Sequence, residues 1–127
     1  MYAQADSSDA DHEECLELLA TLPGPLIVPQ LVIAEVAYLL ARRMGDEPER
    51  RLIQDFAAGS VLSEPVNQRD WTRIAELLAE YPDLRLGSAD ASVVAAAERL
   101  NIRRIATLDD HFRVVRPRHC SAFDIVP

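Results

Sequence analysis

LVIAEVAYLLA, residues 31–41, is the stretch on which the reading of this chain turns. Ten of its eleven positions are apolar or aromatic, and Glu35 carries the only charge. A helix apolar nearly all round is expected to be buried, and a lone carboxylate inside it is costly unless something positive meets it. The nearest downstream Arg is Arg42, seven residues along. The counter-charge is therefore expected from elsewhere in the fold, or from a bound cation.

Working outward, Leu26-Ile27-Val28 reads as a short strand, and Pro29 is placed to open a helix that runs to Met44, with Gly45 as its cap. Upstream, Ser8-Asp9-Ala10-Asp11 resembles a capping box, with Cys15, Leu18, Leu19 and Leu22 at helical spacing and Pro23-Gly24-Pro25 as the stop. Downstream, Asp46-Glu47-Pro48-Glu49 is expected to start a helix as cap, first-turn acid and N1 proline. Leu52, Ile53 and Phe56 would share one face, and Gly59 would end it. Residues 60–66 read as a short strand. Asn67 caps a helix with Trp71, Ile74, Leu77 and Leu78 on its apolar side, stopped at Tyr81-Pro82. Ser88 is expected to cap a helix over residues 89–100, closed by Asn101. Residues 104–107 read as a strand, 109–112 as a turn or short helix, and 122–126 as a final edge strand. Strands alternating with helices at these spacings predict an α/β fold with a mostly parallel central sheet.

The totals fit one domain spanning residues 1–127, long enough to bury a core. The longest apolar run is too short to span a bilayer, and the polar, acidic N-terminus has no signal-peptide core, so no membrane association is expected. Cys15 and Cys120 form no CxxC or Cys/His pattern, which points to a reducing cytoplasm rather than a disulfide framework or zinc site. The net charge is −8, yet its distribution is uneven. Residues 1–84 hold sixteen acids and six Arg, residues 85–127 five acids and seven Arg. No Lys is present, which reflects either genome composition or a need for bidentate phosphate contacts.

Parallel strands joined by helices deliver each strand's C-terminal end and the following helix's N-terminus to one edge of the sheet. Glu35 lies in the first two turns after strand 26–28, Asp90 in the first turn of the helix after Ser88, and Asp109 just past strand 104–107. The three carboxylates are thus expected at the same edge. Clustered anions raise one another's pKa unless a cation joins them, and an all-oxygen set suits Mg²⁺ or Mn²⁺ rather than zinc. That is the apparatus of phosphodiester hydrolysis. Thr107 can hydrogen-bond a metal-bound water or a ligand carboxylate, and Asp110 is an accessory. Each acid taken singly has a plainer reading. Glu35 would be a buried acid paired with an Arg such as Arg104, Asp90 a helix-start acid, and Asp109 a turn residue. Convergence of the three separates the readings. His12, His111 and His119 have no partner at ligand or triad spacing and are expected at the surface.

Three segments, IVPQLVIAEVAYLLARRMG, LGSADASVVAAAERL and RIATLDDHF, together resemble the PIN-domain ribonucleases, and most of all the VapC toxins of bacterial toxin–antitoxin pairs. The resemblance implies a parallel sheet flanked by helices, a Mg²⁺ or Mn²⁺ site, and endonucleolytic RNA cleavage by metal-activated water. It further implies a VapB-type antitoxin and a homodimer. By motif, Glu35 takes the place of the family's helix-borne acid, Asp90 that of the third acid, and Asp109 that of the acid after the Thr-x-Asp turn.

The front of the chain departs from this pattern. The family opens with an apolar strand ending in Asp-Thr or Asp-Ser, whereas YAQADSSDADHEEC matches the helix that follows it. Asp6 lies after that lost strand and is no substitute ligand. The expectation is that Met1 is an internal Met of a longer protein. The alternatives are a shortened copy, or completion of the sheet by another chain. The chain as written is then expected to be impaired. Two rival functions remain in view: a non-catalytic PIN remnant that binds antitoxin or RNA, and a DNA-acting nuclease of the same fold.

Overall fold

The computed structural model describes residues 8–126. The expectations for Met1, for the YAQAD stretch and for Asp6 lie outside them. The chain divides into two compact units, the first ending at Glu64 and the second beginning at Pro65.

The first unit comprises α1 (His12–Thr21), β1 (Leu26–Pro29), α2 (Gln30–Met44), α3 (Asp46–Ala58) and β2 (Val61–Glu64). At the start of α1, Asp9 Oδ1 accepts the Asp11 N–H at 3.0 Å and the Asp9 carbonyl accepts the His12 N–H at 3.2 Å. The helix therefore begins later than a Ser8–Asp11 box would start it. Cys15 is its buried residue. Strands β1 and β2 pair in parallel, Leu26 opposite Val61 through Pro29 opposite Glu64. Pro29 ends β1 and caps α2. Gly45, at φ 87° and ψ −176°, both ends α2 and precedes α3, in a backbone region open almost only to glycine. Asp46 is thus the first residue of α3 rather than its cap, and Pro48 the third rather than the first.

Helix α2 corrects the opening expectation. It buries Val36 and Leu40, which pack with Leu52 of α3 and with the flanking Val32, Ala37, Met44 and Phe56. Glu35 is exposed, and Tyr38 is 60% exposed. Spacing explains this: Val32, Val36 and Leu40 recur at four-residue intervals on one stripe, while Glu35, Tyr38 and Arg42 recur on another. Apolar composition alone did not make the helix buried all round. For the same reason Ile53 faces solvent although Leu52 and Phe56 turn inward.

The second unit comprises α4 (Gln68–Glu80), a 3₁₀ turn (Pro82–Leu84), α5 (Ser88–Leu100), β3 (Arg104–Ala106), α6 (His111–Val114) and β4 (Asp124–Val126). A reciprocal box starts α4: the Asn67 side chain accepts the Asp70 N–H at 2.9 Å, and the Asp70 carboxylate accepts the Asn67 N–H at 3.1 Å. The buried face of α4 is Asp70, Arg73, Ile74 and Leu77, whereas Trp71 and Leu78 are exposed. The apolar side expected from sequence is rotated because two charges on α4 have partners on α5. Arg73 forks onto Glu98, and Arg99 forks onto Asp70 with Nε and Nη2 at 3.0 and 2.9 Å. Glu98 also accepts the Arg118 N–H at 3.0 Å.

Helix α5 is the one buried on most sides, through Ala89, Ala91, Ser92, Val94, Ala95, Ala96 and Ala97. These small side chains let neighbouring elements approach its backbone closely. Gly87, not Ser88, is its cap, and Asn101 at φ 56° closes it. Strands β3 and β4 pair in parallel, Arg104 opposite Asp124 through Ala106 opposite Val126. Phe112 of α6 sits edge-on to Phe123 with ring centroids 6.5 Å apart.

The expected α/β architecture with parallel strands holds. The described strands form two parallel pairs, β1–β2 and β3–β4, where a single central sheet was expected. Each described strand is bonded along one edge only. No helix among the described residues is long and apolar enough to cross a membrane.

Candidate metal centre

The second unit brings Asp90, Asp109 and His111 together, one ligand atom from each lying within 4.8 Å of the other two. Local chemistry positions every member. Asp90 is the third residue of α5, and its Oδ2 accepts the Gly87 N–H at 3.3 Å, so one carboxylate oxygen is spent on starting the helix. The neighbouring Ala91 and Val94 are fully buried, which fixes the helix that carries it.

Asp109 is set by two consecutive side-chain turns. Pairing continues one residue past β3, where Thr107 donates its N–H to the Val126 carbonyl at 3.0 Å. Thr107 Oγ1 then accepts the Asp109 N–H at 3.0 Å. Asp109 Oδ1 accepts the His111 N–H at 2.8 Å, which opens α6. Thr107 therefore shapes the turn that aims Asp109. Asp110 points outward, its side chain 91% exposed and held by Arg113 at 3.1 Å.

Burial pushes the Asp90 carboxyl above its usual range. The Gly87 N–H opposes that rise, the neighbouring Asp109 adds to it, and His111 reduces it. The site thus holds excess negative character in a half-buried setting. Two carboxylates and one imidazole nitrogen form a donor set for a divalent cation, and a cation relieves the strain that Asp90 carries.

His111 departs from the surface expectation in part: its side chain is 37% exposed, with one ring nitrogen turned inward. Its Nδ1 is buried, lies 3.2 Å from Asp109 Oδ1, and makes no hydrogen bond. Spacing hid it, because a residue two positions from an acid matches no ligand or triad pattern. The signal available was the Asp-x-His tripeptide itself, since an Asp whose side chain bonds the N–H two residues on brings that residue back toward it. Glu35, the remaining acid from the sequence reading, lies exposed on α2 of the first unit.

Comparison with known proteins decides the family. The PIN domain profile matches residues 1–116. This chain belongs to the PIN-domain family. Its similarity to the VapC type is direct. Ribonuclease VapC26 of Mycobacterium tuberculosis (strain ATCC 25618 / H37Rv) is 31% identical over 128 residues, covering 100% of this chain and 95% of that protein. In fold, the chain matches the crystal structure of Mycobacterium tuberculosis VapC20, a sarcin-ricin loop cleaving toxin, with a TM-score of 0.85 at 21% identity, over 94% of this chain and 92% of that one.

Five of the seven Arg residues of the C-terminal third are engaged within the chain. Arg99 pairs with Asp70, Arg104 with Asp124, Arg113 with Asp110, and Arg118 with Glu76, while Arg116 bonds the Arg113 carbonyl. Arg85 and Arg103 are exposed, and no side-chain partner meets either among the described residues. Arg85 stands in the left-handed region at φ 53°, two residues before Gly87.

Proposed function

We propose that this chain is an endoribonuclease toxin of the VapC type, dependent on Mg²⁺ or Mn²⁺, that hydrolyses RNA phosphodiester bonds. The observation that carries this reading is the Asp90–Asp109–His111 cluster in a PIN-domain chain whose 31% identical relative is a ribonuclease. The family match over residues 1–116 runs from one unit into the other, which supports one PIN-like domain over residues 1–127. Glu35 supplies a further carboxylate, a role supported by its place in the IVPQLVIAEVAYLLARRMG segment.

When bound, Mg²⁺ or Mn²⁺ activates water as a nucleophile and neutralises charge on the phosphate. Asp90 and Asp109 would hold that ion, and Glu35 is a further candidate ligand by its place in the motif. Thr107 keeps Asp109 in a single orientation by holding its N–H, and the Gly87 N–H does the same for Asp90. Asp110, turned to solvent, is an accessory that tethers Arg113. Arg85, exposed on the loop before Asp90, meets substrate phosphate.

A VapB-type antitoxin neutralises the activity, the toxin is a homodimer, and it acts in the cytoplasm. The free thiols of Cys15 and Cys120 support a reducing compartment. Incubation of purified protein with single-stranded RNA tests the central claim. Cleavage is expected with Mn²⁺ or Mg²⁺ and not in EDTA, and undiminished cleavage in EDTA overturns it. Light scattering tests the dimer, and co-purification with the product of an adjacent reading frame tests the antitoxin.

A further inference from the structure

We propose that His111 binds the divalent ion of this site directly through Nδ1, and that this nitrogen makes the site prefer Mn²⁺ over Mg²⁺. The inference rests on reading Asp90 and Asp109 as metal ligands, and it adds a ligand outside the acidic set.

The argument starts from an unmet atom. His111 Nδ1 is buried and without a hydrogen bond, a costly state for a polar nitrogen. It sits 3.2 Å from Asp109 Oδ1, but the ring is out of line to donate to that oxygen. The same oxygen is already met by the His111 main-chain N–H at 2.8 Å. The unmet nitrogen thus lies beside the Asp109 carboxylate, in a cluster that also holds Asp90. A cation satisfies such a set.

Placement supports the assignment. Phe112, the next residue, is 4% exposed and packs against Phe123, so α6 is pinned where it carries His111. The 3.2 Å separation of Nδ1 and Oδ1 is also close to the roughly 3.0 Å between adjacent ligand atoms on an octahedral ion with bonds of about 2.1 Å. Mg²⁺ is a hard ion that favours oxygen, whereas imidazole suits transition ions. One nitrogen among carboxylates therefore shifts the preference toward Mn²⁺.

Pulsed electron paramagnetic resonance of Mn²⁺ added to the tag-free full chain reads the proposal directly. The expected spectrum carries a ¹⁴N coupling that disappears in His111→Gln and persists in His119→Gln. The Mn²⁺ affinity of His111→Gln is expected to fall roughly tenfold or more, with Mg²⁺ affinity changing less than about threefold. Circular dichroism of each variant verifies folding, and the wild-type spectrum alone is decisive if a variant fails to fold. Mn²⁺ bound without nitrogen coupling overturns the His111 ligand and leaves the carboxylate site standing. Mn²⁺ binding that is absent, or unchanged in Asp90→Asn, overturns the metal site itself and this inference with it.

Discussion

Arg73 grips Glu98 through two parallel hydrogen bonds, Nε to Oε2 at 2.8 Å and Nη2 to Oε1 at 3.0 Å, with both side chains about nine-tenths buried. Removing one partner of such a pair strands the other charge away from water. Glu98→Ala is expected to destabilise the protein by about 3–5 kcal/mol, read from denaturant unfolding. Glu80→Ala removes only an exposed acid 3.6 Å from the same Arg, and is expected to cost no more than about 0.5 kcal/mol. Equal effects would contradict the distinction.

The same acids set the response to low pH. Burial pushes the Asp70 and Glu98 carboxyls up, but hydrogen bonds and charge from Arg99 and Arg73 bring both below their usual range. Their stabilisation is present above the unfolded carboxyl value of about 4 and is lost as pH falls through the depressed folded values. Asp90 acts with the opposite sign. Because its folded pKa is raised, the folded state holds more protons between the unfolded value of about 4 and the raised folded value, and stability falls as pH rises through that range. Melting in EDTA is therefore expected to show a modest gain as pH drops from neutral, then a loss below about 4.

Asp90→Asn separates stability from function. Asn can still accept the Gly87 N–H, while the carboxylate that burial and Asp109 disfavour is gone. The metal-free variant is expected to melt higher than wild type at pH 7, and its rise in stability on mild acidification should vanish. RNA cleavage is expected to drop about 100-fold or more. A variant that melts lower at pH 7 in EDTA would count against a strained Asp90.

Glu35 is exposed on α2, so Glu35→Ala should change stability by no more than about 0.5 kcal/mol. Cleavage is nonetheless expected to fall about 100-fold or more if Glu35 is a ligand. Parallel melting and single-turnover assays on one preparation distinguish a site residue from a structural one. Retained activity removes Glu35 from the acidic set.

Salt dependence tests which Arg residues reach phosphate. Arg85→Ala is expected to weaken RNA binding and lower the slope of log affinity against log salt by about 0.7. Arg104→Ala, whose side chain is held by Asp124 at 2.8 Å, should alter the slope less. Filter binding at several salt concentrations gives both values.

Alternating strands and helices, their caps at Asn67 and Asn101, and the Asp90 and Asp109 positions were all legible in the sequence, because each rests on local spacing or on a residue with one strong preference. Burial was not. The apolar composition of α2 suggested a helix sunk in the core, yet its Glu35 and Tyr38 share an outward stripe. The helix that is covered on most sides is α5, whose alanines score as only mildly apolar. Trp71 and Leu78 were expected inside because apolar periodicity takes no account of Arg73 finding Glu98 twenty-five residues on. His111 was missed for a related reason. What marks it is an unmet nitrogen atom, and a sequence shows residues but not which of their atoms lack partners.

The two forked pairs, Asp70 with Arg99 and Arg73 with Glu98, act together as a register stop. Sliding α5 by one turn along α4 would separate both pairs at once and strip the buried charges of their partners on the facing helix. Only one alignment avoids that penalty, so the pair of helices has a single seating. Asp90 rides on the opposite end of α5, and its address is therefore written by charges that take no part in the chemistry.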